Sequence, residues 1–380
     1  PDAPDATAPA SPCPGEACGV RRAAGGTQHT CALHRDGTVY CWGGNLGGQL
    51  GDGTTVSHLT PSPLAGLTDV EEVAASGYYT CVRIRAGGVF CWGSNLSGQL
   101  GDGTFTSHTT PTPVMGLTDA VQLALGLSHA CARRRSGEVL CWGGNAFNQL
   151  GDGTTTQRAT PAPVTGLTDA VQITAGTNHT CARRMTGAIV CWGYNAQGGL
   201  GDGTVRNRAT PVEVLGVRDV AEIAAGGLHT CARYASGTMF CWGYNSSGQL
   251  GDGTVESSPT PVSVRGVGDA VEMVGGPNHT CVRRRGGAVA CWGSNNVGAL
   301  GDGTTDDRVL PTPVVGLTDA VSLGSPADHT CARRADGALV CWGYNGDGQV
   351  GNGVRAAAQT TPSNHTTARS CRYQSSMTVV

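Results

Sequence analysis

The sequence predicts an all-β chain folded as a seven-bladed β-propeller of 50-residue, four-stranded repeats, with one intra-blade disulfide per blade. Three observations carry this reading. The tripeptide Cys-Trp-Gly recurs at Cys41, Cys91, Cys141, Cys191, Cys241, Cys291 and Cys341 without an insertion, and seven copies of one unit suit a closed ring. A second cysteine stands ten residues before each, at Cys31, Cys81, Cys131, Cys181, Cys231, Cys281 and Cys331. Short apolar runs bounded by Gly, Thr and Asp fill the units, and no segment shows a 3.6-residue period of useful length.

Taken in order, residues 1–18 are mainly Pro, Ala and Asp with almost nothing to bury. They are expected to form an extended spacer, serving as a tether. The chain opens without Met and without a charged-then-apolar leader, as expected if a signal peptide has been removed. The propeller is expected over 19–365 and a tail over 366–380, of which Arg369 to Val380 fits no unit.

Within a unit the sequence suggests four strands, read here over residues 110–150: Pro111 to Val114, Val121 to Ala124, Ala130 to Arg133, and Glu138 to Trp142. The last two form a hairpin. In the first unit Cys31 and Cys41 are symmetric about Asp36, which requires an odd loop and suits the three residues Arg35, Asp36 and Gly37. Such a loop ends on a left-handed residue, and Gly is present there in every unit, from Gly37 to Gly337. Residues 34 and 38 then close the loop, and the cysteines face each other three rungs on at a non-hydrogen-bonded pair, where side chains come closest.

Opposed cysteines at that spacing read as disulfides, which imply an oxidising compartment. A zinc site using His29, Cys31 and Cys41 is the competitor. The second unit argues against it, because Tyr79 stands where His is expected while Cys81 and Cys91 remain. Cys13, Cys18 and Cys371 complete the 17. Cys371 pairs with Cys13 or Cys18, or those two pair locally, and one thiol is left over. The first-strand motif is clear six times, from Pro61 to Pro311. The seventh copy must come from an end, either the shifted Thr361-Pro362 or the N-terminal segment.

Composition excludes several functions. A formal charge of -3 gives no global footprint for nucleic acid. No run of 18 apolar residues spans a bilayer. All 25 basic residues are Arg, which removes lysine chemistry. The Gly-Asp-Gly-Thr loops lack the alternating oxygen ligands of a calcium loop and the Lys of a P-loop. The repeated His29, His129, His179, His229, His279 and His329 are read as satisfying backbone groups within their own blades, and no Gly-x-Ser-x-Gly elbow appears. The expectation is no enzyme, no metal and no cofactor.

Units reading Gly-x-x-His-Thr, Cys-Trp-Gly-x-Asn, Gly-Gln-Leu-Gly-Asp-Gly-Thr and Thr-Pro-x-x-Val resemble the regulator of chromosome condensation repeat over roughly Gly19 to Gly353. The resemblance implies a seven-bladed propeller. That family holds a nuclear exchange factor for a small GTPase, plant ultraviolet photoreceptors, secreted bacterial β-lactamase inhibitors and many proteins of unassigned role, so it specifies fold more than function. Every Trp here belongs to Cys-Trp-Gly, which leaves out the photoreceptor chemistry. Paired cysteines favour the secreted bacterial branch over the exchange factor.

Two surfaces follow. Positions that vary between matching units are candidates for partner binding, and aromatic residues and Arg are the usual anchors. These are Phe147, Arg158, Tyr194, Arg206, Arg208, Tyr244 and Tyr344. In addition, 14 of the 25 arginines fall in the third-strand hairpins, including Arg83, Arg133, Arg183, Arg233, Arg283 and Arg333, and a closed ring would gather them into a basic belt. The expected function is a secreted or cell-surface bacterial scaffold binding an extracellular protein through the variable loops, with inhibition of a secreted enzyme as one form. The alternative is a carbohydrate or envelope polymer held by the arginine belt. A GTPase exchange-like role is the remote third.

Overall fold

The computed structural model describes residues 19–324 and 327–364; the spacer, the tail, Cys13, Cys18 and Cys371, for which the sequence sets expectations, lie outside them. The described chain forms seven four-stranded antiparallel sheets and no helix. Strand order within each sheet follows the chain from the propeller axis outward. The first blade comprises Val20–Gly25, His29–His34, Val39–Gly43 and His58–Pro63, and the seventh comprises Ala320–Leu323, His329–Arg334, Leu339–Asn345 and Ala356–Asn364.

The hairpin forms as its loop chemistry requires. His34 N–H donates to Thr38 O at 2.8 Å, and Gly37 has φ +86°, a conformation glycine adopts without a Cβ penalty. Cys31 pairs in register with Cys41. All seven pairs are bonded as disulfides, with Cα atoms 4.0 to 4.1 Å apart, as suits the narrow rung of an antiparallel ladder.

The phase of the repeat differs from the sequence reading. The Thr-Pro strand does not begin the unit that follows it but ends the blade before. His108–Pro113 pairs with Val89–Gly93, bringing Cys91 opposite Thr112. The 44–57 loop and its equivalents turn the chain back alongside the strand it has just left, and a short linker then carries it to the next blade. Blade one therefore lacks nothing. The C-terminal segment supplies the outer strand of blade seven, in a register shifted by one residue, with Gly343 opposite Gln359 where Gly293 faces Arg308.

Each blade leaves an apolar face that its neighbour covers. Leu33, Val39, Leu50 and Leu64 of blade one pack on Val70, Val73, Val82 and Trp92 of blade two. The same layer closes the ring, where Val20, Ala23 and Trp42 meet Leu339, Cys341 and Val350. Each fully buried Trp crosses a seam, as when Trp92 Nε1 donates to Gln49 O at 2.9 Å. A Cβ at Gly51 would overlap that indole, which ties the Gly after Gln-Leu to the Trp of the next unit.

Candidate functional site

Strand direction sorts the connections onto two ends of the ring. One end, here the loop face, collects the turns at 26–28 and the 44–57 loops. The opposite hairpin face collects the 35–37 turns, the 64–69 linkers and the start of each inner strand.

On the loop face Asn45 organises the long loop. Its Nδ2 donates to Thr54 O at 3.1 Å, and its Oδ1 accepts from Leu50 N–H at 2.9 Å. The Gly-Asp-Gly-Thr aspartates are turn locks, with Asp152 accepting from Thr154 N–H at 2.9 Å. A cationic or imidazole side chain six residues on closes several of them: His58 on Asp52, His108 on Asp102, Arg158 on Asp152 at 2.6 Å, Arg208 on Asp202 at 2.6 Å, and Arg308 on Asp302. Burial works to raise the Asp152 carboxyl, yet hydrogen bonds from Arg158 and Thr154 hold it below the usual carboxylate range. Arg158 and Arg208, expected as partner anchors, are thus engaged inside their own loops. The sequence spacing of six between Asp and Arg was the available signal.

The other variable-loop residues behave differently. Phe147 of blade three and Tyr194 of blade four meet edge to face, with ring centroids 5.2 Å apart. Arg206 is exposed, and Tyr244 and Tyr344 are half-buried. An apolar group around Phe147 was missed: Leu46 is 82% exposed and Leu96 78%, with Tyr78 and Leu127 also exposed. The loop at Gly47 lies against Tyr78 of the next blade, and Gly77 lies against Leu127 of the third. These side chains all stand exposed on the loop face of blades one to three. The signal lay at one repeat position that runs Leu46, Leu96, Ala146, Ala196, Ser246, Asn296 and Gly346, losing apolar surface around the ring.

The histidines do not serve their own blades. His29 Nε2 lies 2.8 Å from Thr80 Oγ1 of the next blade, and the same bond recurs from His129 to Thr180, His179 to Thr230, His229 to Thr280, and His279 to Thr330. Thr80 Oγ1 donates to Gln49 O at 2.9 Å, so the imidazole supplies the proton from Nε2, and burial favours its neutral form. Burial lowers His29, His129 and His229 to about 3, and His179 and His279 to about 4. A Cβ at Gly26 would overlap the His29 ring, which explains the Gly-x-x-His spacing. Among the described residues no cluster of three or more His, Cys, Asp or Glu could hold a metal ion.

On the hairpin face the expected basic belt is largely neutralised. Arg83 pairs with Glu72, Arg85 with Glu71, Arg134 with Asp119 and Glu138, and Arg184 with Asp169. Arg233 pairs with Glu222, Arg283 with Glu272, Arg284 with Asp269, and Arg334 with Asp319. The inner strands enclose an axial channel of about 250 Å³. Among the described residues no helix is long and apolar enough to cross a membrane.

Comparison with known proteins places this geometry. A model of the RCC1-like domain matches residues 116–378, and models of the regulator of chromosome condensation repeat match 36–83, 86–133 and 20–49. Among solved structures, Prp20p of Saccharomyces cerevisiae, from work on its binding to Gsp1p and histones, is similar. It has TM-score 0.76 and 23% identity, over 87% of this chain and 86% of that one. Yeast Prp20 bound to Kap60 gives TM-score 0.78 at 20% identity, over 97% and 91%. Human WBSCR16 gives 0.77 at 22%, over 87% and 94%. At these identities the likeness is one of fold. Curated protein sequences yield no match.

Proposed function

We infer the function from the premise that the chain belongs to the RCC1-like domain family, and propose a non-enzymatic scaffold that binds a protein on its loop face in an oxidising, extracellular setting. The observation that carries this is the exposed apolar set Leu46, Tyr78, Leu96, Leu127 and Phe147, continued onto blade four by Tyr194. Exposed apolar groups gathered on one face mark interaction sites, and aromatic anchors dominate protein interfaces. Prp20p, of the same fold, has been studied for its binding to Gsp1p and histones. For the present chain, the seven disulfides support an extracellular setting, and a bacterial secreted or surface protein suits them. Arg206, Tyr244 and Tyr344 would extend the interface around the ring.

The test is affinity capture from the secreted and envelope proteins of the source cells, in parallel with Phe147→Ala/Tyr194→Ala, Leu46→Ser/Leu96→Ser, and a hairpin-face control at Met185→Ser. A specific partner should lose at least ~10-fold in affinity with each loop-face pair, the scale of a hot-spot truncation. The control should bind normally, and binding should persist at high salt. A partner indifferent to both loop-face pairs would overturn the reading.

A further inference from the structure

The hairpin face beside the axial channel carries two neighbouring arginines that no ion pair reaches among the described residues. Seven register pairs surround the channel, each joining an inner-strand residue to one on the second strand. Three pairs match a carboxylate with an arginine: Glu72 with Arg83, Glu222 with Arg233, and Glu272 with Arg283. Their Nε to Oε2 distances are 3.1, 2.9 and 2.8 Å. Blades three and four keep the arginine but replace the carboxylate by an amide, giving Gln122 with Arg133 and Gln172 with Arg183.

Those amides are already committed. Gln122 Nε2 donates to Ile173 O and its Oε1 accepts from Ile173 N–H; Gln172 treats Ile223 in the same way. Arg133 retains only a long 3.4 Å contact to Gln122 Oε1, and the buried Nε of Arg183 has no hydrogen-bond partner. No ion pair reaches either arginine among the described residues, although both are half-buried. Burial pulls Arg133 below its ordinary value, the Glu72 carboxylate of blade two opposes this in part, and Arg183 and Arg83 on the flanking blades push the same way as burial. Arg133 also lines a polar cavity of about 410 Å³ with Arg21, Arg22 and Arg83 and with Glu71 and Glu72. A half-buried charge without a direct ion-pair partner is costly, and a planar guanidinium fork is shaped to receive an oxyanion.

We propose that Arg133 and Arg183, standing on adjacent blades beside the channel, bind a compact multivalent oxyanion of the phosphate class. Its oxygens take the place that Glu72, Glu222 and Glu272 fill in blades two, five and six; blade seven sets Arg333 against Ser322 and blade one sets Arg22 against Leu33. The ligand would be a free anion or a terminal phosphoryl group. This site is independent of the loop face.

Isothermal titration at constant ionic strength, with inorganic pyrophosphate and orthophosphate as probes, tests the proposal. Saturable 1:1 binding is expected, with pyrophosphate at least ~10-fold tighter because two guanidinium groups share its charge. Gln122→Glu/Gln172→Glu, which installs the carboxylates found in blades two, five and six, should abolish binding while melting no lower than the wild type. Arg133→Gln/Arg183→Gln should abolish it too. Glycerol 3-phosphate distinguishes sources: binding equal to orthophosphate indicates a terminal ester, and exclusion indicates a free anion, both upholding the site. No saturable binding of either probe to the wild type would overturn the proposal. So would binding that survives in the Gln→Glu variant, which would lie elsewhere on the surface.

Discussion

Blade two replaces three residues of the repeat at once. Ser76 stands where a glycine precedes the imidazole, Tyr79 stands for His, and Ala130 of the next blade stands for the threonine that would accept its bond. The Tyr79 hydroxyl passes over Ala130 and donates to Gly126 O at 3.0 Å and to His129 O. The three changes fit one another: at Gly26 and Gly126 a Cβ would overlap the imidazole, although blade seven carries Pro326 at this position before His329, and a phenol needs no threonine. Tyr79→His alone should therefore destabilise by about 1–3 kcal/mol, the cost of a buried donor left unpaired. The triple variant Ser76→Gly/Tyr79→His/Ala130→Thr should recover most of that loss. Denaturant unfolding of the single, double and triple variants measures the coupling, and simple additivity would show the substitutions to be independent. The replacement of His by Tyr was legible in the sequence; its link to Ala130 was not, because the partner lies 51 residues away in the next blade.

At the level of the blade, the hairpin and its cysteines were legible to the residue, since loop length and the left-handed glycine fix register locally. The phase of the repeat was not. A strict 50-residue period carries no mark of where a unit begins, and only the long loop that returns the chain beside its own blade settles it. For the same reason the histidines were read as serving their own blades, whereas they latch each blade to the next. That placement has a consequence for pH. His29, His129, His179, His229 and His279 are neutral when folded, lowered to about 3 or 4, but titrate near ~6.5 when unfolded. Below that value the unfolded state binds more protons, so stability is complete above pH ~6.5 and is lost as pH falls, by up to about 1.4 kcal/mol per pH unit for each histidine. The melting temperature should fall steadily from pH 6.5 to 4.5, above the range in which carboxylates such as Asp152 are protonated. A flat profile over that interval would mean that the latches accept a proton in place.

Around the whole ring the seams look alike but are not tied alike. Six are spanned by the linker from one blade's outer strand to the next blade's inner strand. The seventh joins the first inner strand to a blade completed by Ala356–Asn364, and among the described residues no strand is exchanged across it. The sequence pointed to the C-terminal segment for the missing strand but not to this arrangement, because a shifted Thr-Pro motif does not say which edge it joins. The closing seam therefore rests on its apolar layer and on Thr30, whose Oγ1 meets His329 Nε2 at 2.6 Å and donates to Gln349 O at 2.8 Å, with Trp42 Nε1 donating to the same carbonyl. Thr180 makes the matching bonds at an interior seam, to His129 and Gln149. Thr30→Val and Thr180→Val should thus cost similar local energies, about 1–3 kcal/mol each, yet differ in reach. With no linker among the described residues to hold these faces together, Thr30→Val should raise amide exchange across blades one and seven, whereas Thr180→Val should raise it only near its own seam. Hydrogen-exchange mass spectrometry on native protein reads the difference. Equal, local effects would mean that the ends are held by something beyond the seam, and the same experiment after mild reduction would then show whether that tie is a disulfide.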